Sequence, residues 1–364
     1  MFRAIYLTIA LLLGAPATAA EEATNDSAAA KAEFADAYKT YKRLTDEGKY
    51  EEALPYAERA YQLGTQIYGE GHTNTAALAL NLGETYGKTG HRKEAIRTLD
   101  KAIELYQRVY GNGSRELIDP LMARADATGG WDGKARTALY EQALEIAHKH
   151  FKPNDFTLAH LNLEAAIHLL RDGNVQESKA YIEAAYSQYR KQTPANDPRL
   201  LIATLWMGKY QLAIAKPRAA EPYFNQVLGV LGDGEANPLV LASHVLLVNV
   251  YEQVGESEKA TPHCVALGKL DPWKDATPPP PLYQTEAEYP AEAKGREGFA
   301  SIEFTIDASG YVRDARLIET QGDEAFGPPG LAAVQAWRYA PRFVENQPVD
   351  TAGAQAKVDF KLTP

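Results

Sequence analysis

The sequence feature that most constrains the fold is a repeat with a period of about 42 residues. Gly48 and Gly90 open closely similar segments that lie 42 residues apart. Carrying the step along the chain finds a small or apolar residue at the same point of six units: Ala60, Ala102, Ala143, Ala185, Val227 and Leu267. Repetition at this length indicates stacked supersecondary units rather than one continuous core.

Each unit has the pattern of a helix, a tight turn and a second helix. Glycine stands where the chain must reverse, at Gly48, Gly90, Gly173 and Gly255. Small residues after the turns predict close packing of the two helices: Ala53, Ala95, Ser178, Ala220 and Ala260. The third unit departs from the pattern with Arg136, and the fifth with Pro217 in its turn. The pattern predicts an all-α helical-repeat solenoid over residues 34–270, with about six helix pairs.

These residues resemble the tetratricopeptide repeat, in the longer form seen in kinesin-light-chain-like arrays. The motif that carries the resemblance is Gly71, His72, Leu80, Asn81, Leu82, Gly83, Tyr86, Gly90, Ala95 and Ala102. The resemblance implies a groove, lined by the first helix of each pair, that holds a peptide or protein. Asn81 matches a position that often holds the peptide backbone in this family. An asparagine on an exposed helix face is the alternative reading.

Three polar residues of one helix are candidate metal ligands. His160, Glu164 and His168 are spaced four apart and share a face. The two histidines are separated by about 12 Å of helical rise, which is too far for one ion to reach both readily. We therefore expect a polar groove face or pairing of His160 with Glu164, and no metal or other cofactor.

No enzyme motif is found, and the charge disfavours nucleic acid. The sequence lacks G-x-S-x-G, H-E-x-x-H and a cysteine pair. The formal net charge of -10 opposes binding to phosphates. The single cysteine, Cys264, falls at a helical core position, although a reactive or intermolecular thiol is the alternative. We expect a protein that is neither an enzyme nor a nucleic-acid binder.

The first 20 residues have the pattern of a secretory signal peptide. Arg3 precedes an apolar run from Ala4 to Leu13, and small residues follow before Glu21. An uncleaved inner-membrane anchor facing the periplasm is the alternative, but Gly14 and Pro16 interrupt the run. We expect export to the periplasm with cleavage, a flexible N-terminus over 21–33, and no stable membrane insertion.

The sequence changes character after residue 270. Prolines 278–281 cannot continue a helix, so residues 271–283 read as a Pro-rich linker; docking of the prolines on an aromatic groove is the alternative. Beyond the linker, alternating apolar residues predict strands at Phe299–Ile306, Tyr311–Glu319 and Ala354–Leu362. A helix is predicted at Leu331–Trp337.

Residues 284–364 resemble the TonB C-terminal domain, a small α+β fold. The motifs are Tyr289-Pro290, Gly298, Asp307 to Gly310, and Trp337-Arg338-Tyr339-Ala340-Pro341. In that family the last strand pairs with a short segment of an outer-membrane transporter. By position, the resemblance implies a partner-binding edge at Lys357, Val358, Asp359, Phe360 and Lys361, with Tyr289 and Pro290 near the contact. Trp337 and Tyr339 are expected in the core, and Arg338 at the surface or as a capping residue.

Two functional hypotheses follow. In the first, the protein is a TonB-like adaptor in outer-membrane transport, and its repeats recruit a second partner. In the second, it is a periplasmic envelope scaffold with no role in energised transport. The sequence shows neither a membrane helix of the length a motor-coupled transducer uses nor a long spacer, so the resemblance predicts the fold and the pairing edge without motor coupling.

Overall fold

The computed structural model describes residues 21–129, 132–232, 234, 236–270 and 279–362, with side chains from residue 28 onward. The chain divides into two compact units, Met1–Tyr181 and Ile182–Pro364. The expected signal segment and residues 271–278 of the expected linker lie outside the described residues.

Twelve α-helices, in six consecutive pairs, occupy residues 21–270 of the described chain. Their bounds are α1 Glu21–Asp46, α2 Tyr50–Tyr68, α3 Thr73–Lys88, α4 Arg92–Tyr110, α5 Ile118–Thr128, α6 Gly133–His150, α7 Phe156–Arg171, α8 Val175–Gln192, α9 Pro198–Ala213, α10 Pro217–Leu231, α11 Pro238–Gln253 and α12 Ser257–Leu270. The predicted helical-repeat class is confirmed. No helix in the part of the chain that the structure describes is long and apolar enough to cross a membrane.

The turns inside the pairs show why glycine recurs there. Gly48, Gly90, Gly173 and Gly255 have φ between +74° and +80°, a region that side chains disfavour. In the fifth pair Ala215 takes this conformation instead, with φ of +56°. The small residues predicted after the turns are fully buried, at Ala53, Ala95, Ser178, Ala220 and Ala260. Their lack of bulk lets the paired helices approach each other.

Each unit buries its own apolar clusters. In the first unit the largest cluster runs through α3 to α7 and includes Leu99, Tyr140 and Leu161. In the second unit a cluster on α9 to α12 includes Phe224 and Cys264. Burial raises the pKa of the Cys264 thiol to about 12, so the thiol stays protonated at neutral pH. The predicted core position of this cysteine is confirmed.

The C-terminal domain is a three-stranded antiparallel sheet covered on one face by a helix. The elements are β1 Gly298–Ile306, β2 Val312–Gln321, α13 Gly327–Gln335, β3 Arg342–Val344, β4 Gln347–Val349 and β5 Thr351–Phe360. The sheet order is β2-β1-β5, while β3 and β4 form a separate ribbon. The predicted strand, strand, helix, strand order is confirmed. The ribbon was not predicted, because its strands are three residues long and turn through Glu345 and Asn346, both at positive φ.

The core of this domain confirms two expectations and corrects a third. Trp337 and Tyr339 are buried, as predicted. Arg338 was expected at the surface or as a cap, and this is wrong, because only 1% of it is exposed. A charged side chain of this size is buried only where other groups replace its hydration. Its partners lie on α11 and α12 and in the turn between β1 and β2.

Candidate partner-binding site

The last strand of the C-terminal domain is an edge of the sheet. β5 pairs with β1 in unbroken antiparallel register from Gly298 opposite Phe360 to Phe304 opposite Ala354. Among the described residues, no strand pairs with the other side of β5. Alternate N–H and C=O groups of an edge strand remain available to a partner strand. The strand therefore offers a straight backbone surface for pairing.

The opposite edge, β2, is less suited to pairing. Its register with β1 shifts twice, between Ser301 and Ile302 and between Glu303 and Thr305. Asp314 within it has φ of +51°. Bulges and charged side chains on an edge strand oppose the addition of another strand. The register of β5 with β1 shifts once, between Phe304 and Ile306, so β5 is the more regular of the two edges.

A groove of about 370 Å³ runs along part of the β5 edge. One wall is the extended segment Gln284–Ala287, and the other is the strand itself. The lining residues are Gln284, Thr285, Glu286, Ala287, Trp337, Lys357, Val358 and Asp359. An extended peptide that pairs with β5 would lie in this groove.

Two hydrogen bonds fix the wall that faces β5. The indole Nε1 of Trp337 donates to the backbone oxygen of Thr285 at 3.1 Å. The Thr285 hydroxyl donates to the backbone oxygen of Ala333 in α13, also at 3.1 Å. The wall is thus fastened to the helix beneath the sheet rather than to the strand. This leaves the space between wall and strand open.

The exposed side chains of β5 carry both signs of charge. The Lys357 ammonium lies 3.6 Å from the Asp359 carboxylate and 3.9 Å from the centroid of the Phe299 ring. Between them Val358 is buried and faces the opposite side of the sheet. Glu286 adds a second carboxylate on the opposite wall of the groove. The groove therefore combines a buried apolar floor with a charged rim.

The remaining residues of the expected edge lie outside the groove lining. Phe360 is 3% exposed and stacks on Phe326 with ring centroids 4.5 Å apart. Lys361 is exposed beyond the end of the strand. Tyr289 is half-buried, donates its hydroxyl to the backbone oxygen of Arg296 at 2.8 Å, and contacts the same aromatic core. Pro290 begins the short 3₁₀ turn that follows.

Reasoning from the sequence missed the segment Gln284–Ala287 and the part that Trp337 plays in the groove. The segment has no regular secondary structure, so no periodicity marks it. Trp337 was assigned to the core, where its ring does lie. Its ring N–H needs a hydrogen-bond partner when buried, and this need was the available signal that a backbone segment lies beside it.

The repeat residues singled out in the sequence belong to the first unit. Asn81 lies half-buried on α3 and hydrogen bonds with the Tyr38 hydroxyl of α1, while burial raises the pKa of that hydroxyl. His160 and Glu164 lie 3.5 Å apart on α7, as their spacing predicts. Asn81 thus links α3 to α1, the first helix of the preceding pair.

His168 has different partners from His160. Its Nε2 lies 3.2 Å from the Asp126 carboxylate and its Nδ1 2.7 Å from the guanidinium of Arg136. In the described part of the chain, no three His, Cys, Asp or Glu side chains are grouped so that they could hold a metal ion. The histidines of α7 therefore serve separate polar contacts.

Comparison with known proteins gives a family for each part. Residues 44–108 match the tetratricopeptide repeat family model, and residues 285–362 match that of the Gram-negative bacterial TonB protein C-terminal domain. The chain carries tetratricopeptide repeats followed by a TonB C-terminal domain. Over 68 residues it is 31% identical to protein TonB of Vibrio cholerae, which covers 18% of this chain and 28% of that protein.

The repeats have relatives of another kind. Over 231 residues the chain is 23% identical to kinesin light chain-related protein 2 of Arabidopsis thaliana, covering 60% of this chain and 33% of that protein. The chain thus spans about a third or less of the length of these curated relatives. The crystal structure of BtubC from P. vanneervenii has a TM-score of 0.52 and 15% identity, covering 66% of this chain and 98% of that one. This likeness shows the fold of the repeats.

Proposed function

We propose that this protein is a periplasmic adaptor of the Gram-negative envelope that captures an extended segment of an outer-membrane transporter along β5. The observation that carries the proposal is the groove beside the unpaired edge of β5. Main-chain hydrogen bonds to an added strand supply affinity, and the groove supplies selectivity for alternate side chains. The likeness of residues 285–362 to the TonB C-terminal domain supports this partner class.

The proposal gives the repeats a separate partner. Tetratricopeptide repeats bind peptides or proteins, and Asn81, His160 and Glu164 lie on the first helices that line such grooves. A periplasmic location is supported by the signal-peptide pattern of the first 20 residues and by the TonB likeness. The protein would then join two envelope components without catalysing a reaction.

Site-directed crosslinking tests the strand-pairing proposal. The only native thiol, Cys264, is buried and protonated, so a cysteine introduced at the surface will be the reactive one. The variant Lys357→Cys places a thiol on the groove side of β5, and Arg316→Cys places one on the exposed face of β2 with the same loss of a positive charge. Each is incubated, with an added oxidant that accepts the two electrons released as the disulfide forms, with cysteine-bearing synthetic peptides from the N-terminal segments of several outer-membrane transporters.

We expect disulfide-linked product with Lys357→Cys and none above background with Arg316→Cys. Equal yields at the two positions would show that the peptides collide with the sheet rather than pair with β5. No product at Lys357→Cys with any of several transporter peptides would contradict the transporter as partner.

An envelope scaffold without energised transport is the second candidate. Pairing at a strand edge uses backbone groups that every extended segment has, so the same groove can serve a partner that is not a transporter. Crosslinking of Lys357→Cys in whole cells, followed by identification of the linked protein, separates the two. A linked envelope protein other than a transporter, together with undiminished transporter-dependent uptake in a deletion strain, would favour the scaffold.

A further inference from the structure

The C-terminal domain lies directly on helices α11 and α12 of the second unit. Leu282 and Ala340 share a buried apolar cluster with Leu247 and Cys264 of these helices. Gly310, in the β1–β2 turn, has φ of +83°, and a Cβ added there would lie 3.1 Å from the Cβ of Cys264. Apolar burial and close backbone approach both indicate a packed interface.

Arg338 is the polar centre of this interface. Its guanidinium forms an ion pair with the carboxylate of Glu252 on α11, and the two side chains are only 2% and 8% exposed. The guanidinium carbon lies 3.7 Å from the centroid of the Tyr311 ring. Its other hydrogen bonds go to the Thr261 hydroxyl at 3.0 Å and to the backbone oxygens of Ser257 at 3.2 Å, Ser309 at 3.0 Å and Gly310 at 3.3 Å.

A second contact holds the chain just before the groove. The side-chain amide of Asn249, on α11, donates to the backbone oxygen of Leu282 at 2.9 Å. The Leu282 amide donates to the backbone oxygen of Arg338 at 2.7 Å, and the Arg338 amide donates to the backbone oxygen of Tyr283 at 3.1 Å. The strip Leu282–Tyr283 is therefore held between a repeat helix and the arginine.

The groove lining opposite β5 consists of Gln284–Ala287 and Trp337, and each is covalently bonded to one of these held residues. The segment Gln284–Ala287 follows Tyr283 directly, and Trp337 immediately precedes Arg338. The indole of Trp337 then joins the two through its bond to Thr285. A change at Asn249 or Glu252 would reach the wall through covalently adjacent residues, without touching β5.

We propose that α11 and α12 form a platform that positions the wall of the β5 groove, with Asn249 and Glu252 as positioning residues. The last repeat pair thereby sets how far the wall stands from the strand before any partner arrives. A wall that is already ordered spares the partner the cost of ordering it. This inference relies on the proposed function only for its binding readout.

Hydrogen exchange in the full-length protein provides the test. The variants are Asn249→Ala, which removes the bond to Leu282, and Glu252→Gln, which keeps an acceptor but removes the charge. Asn162→Ala is the matched control, because the Asn162 amide donates to the backbone oxygen of Leu158 at 2.8 Å, as Asn249 does to that of Val245 at 2.8 Å. Asn162 lies in the first unit, far along the sequence from the groove.

In Asn249→Ala we expect exchange of amides within residues 282–287 to accelerate about five- to tenfold, which lies within the range for losing one hydrogen bond. Glu252→Gln should accelerate it by about tenfold or more, because Arg338 loses its counter-charge. Amides of β1 should keep their rates in Asn249→Ala, and Asn162→Ala should leave residues 282–287 unchanged. A transporter peptide that crosslinks at Lys357→Cys should bind Asn249→Ala about five- to tenfold more weakly.

Unchanged exchange at residues 282–287 in Asn249→Ala would overturn the platform, whatever the peptides do. Equal acceleration in Asn162→Ala would also overturn it, because the effect would then be general loosening. If Glu252→Gln does not fold, Asn249→Ala decides the matter, since it retains the ion pair. Failure of every peptide to bind the unaltered protein would reject the proposed function while the exchange result still decides the platform.

Discussion

Each unit contains a buried arginine that forms an ion pair, and the two pairs differ in how far apart their partners lie in the sequence. Arg136 of α6 pairs with Asp172, which caps the C-terminus of α7, so it joins consecutive helices of the repeat array. Arg338 pairs with Glu252, 86 residues earlier in the chain, and so joins the C-terminal domain to a repeat helix. The first arginine reinforces a contact that the repeat architecture makes anyway. The second makes a contact that no repeat pattern provides.

The surroundings of the two guanidinium groups also differ. Arg136 is bonded to side chains, Asp172, Tyr140 and His168. Arg338 also donates to three backbone oxygens. A second mutation cannot remove these acceptors, because they belong to the main chain. The oxygens of Gly310 and Ser257 also accept from the Tyr339 amide and the Thr261 hydroxyl, so the oxygen of Ser309 is the one most affected. A buried backbone oxygen that loses its donor is costly. Removing Arg338 should therefore be harder to compensate than removing Arg136.

The largest effect is expected from Arg338→Ala. The substitution removes the counter-charge of the Glu252 carboxylate, which is 8% exposed and keeps a hydrogen bond from the Ser257 hydroxyl. It also takes a donor from the backbone oxygen of Ser309. Breaking one side of such a pair costs about 3–5 kcal/mol. We expect the free energy of unfolding of the second unit to fall by about this amount. A urea titration monitored by hydrogen exchange measures it, because the exchange of amides in the two units can be read separately.

The double variant Arg338→Ala with Glu252→Gln sharpens the comparison. Neutralising the stranded carboxylate should restore less than half of the loss, because the backbone oxygen of Ser309 still lacks the donor it had. Full recovery would show that the ion pair alone matters, and that the two arginines are equivalent.

Arg136→Ala should have a smaller effect, a loss of about 1–3 kcal/mol from the first unit, the cost of leaving a partly buried polar group without its partner. Asp172 is 12% exposed and lies at a helix end, where water can reach it more readily than Glu252. Alanine is also the residue that the first two repeat pairs have at this point, Ala53 and Ala95. Urea titration of the first unit, followed by hydrogen exchange, measures the loss.

The corresponding double variant, Arg136→Ala with Asp172→Asn, should recover most of the stability of the first unit. It removes the unpaired charge and returns the helix pair to the repeat pattern. If the loss persists in the double variant, the arginine stabilises the first unit by packing in its core. A small residue could then not replace it without a loss of stability.

The ion pairs of these two arginines could not be predicted from the sequence, whereas the repeat fold could. The period predicted the solenoid and the buried small residues, because every repeat solves the same packing problem locally. Arg136 was interpreted as a departure from the repeat pattern. Its partner Asp172 lies 36 residues away, which is close to one repeat length. Arg338 was placed at the surface because charged residues are usually exposed and nothing near it in the sequence is its counter-charge. Its partner becomes visible only when the tertiary fold is known.

The candidate site was predictable to a similar extent. Alternation of Ala354, Ala356 and Val358 predicted β5, and the family resemblance predicts that this strand pairs with a partner. The other wall, Gln284–Ala287, is held by a hydrogen bond from Trp337, and Leu282 before it accepts one from Asn249 of α11. Neither bond leaves a periodic pattern in the sequence. A groove between a regular strand and an irregular segment can be predicted from the sequence on one side only.

The smallest effect is a pH dependence of the first unit that arises at His168 in the Arg136 cluster. Because a guanidinium only donates, Nδ1 of His168 must accept from Arg136, which leaves the ring proton on Nε2 to donate to Asp126. Burial lowers the pKa of His168 below its ordinary value, with Asp126 opposing and Arg136 adding to the shift. The fold therefore holds a neutral imidazole.

The sign of the effect follows from this arrangement. Above the ordinary histidine pKa of about 6.5 the imidazole is neutral in both the folded and the unfolded chain, and the cluster contributes fully. As the pH falls below that value the unfolded chain takes up a proton first, so the first unit loses stability until the folded pKa is passed. His168→Gln, whose amide can accept from Arg136 and donate to Asp126, should flatten this decline, whereas His160→Gln should not. An NMR titration that placed the pKa of His168 at or above 6.5 would contradict the neutral imidazole.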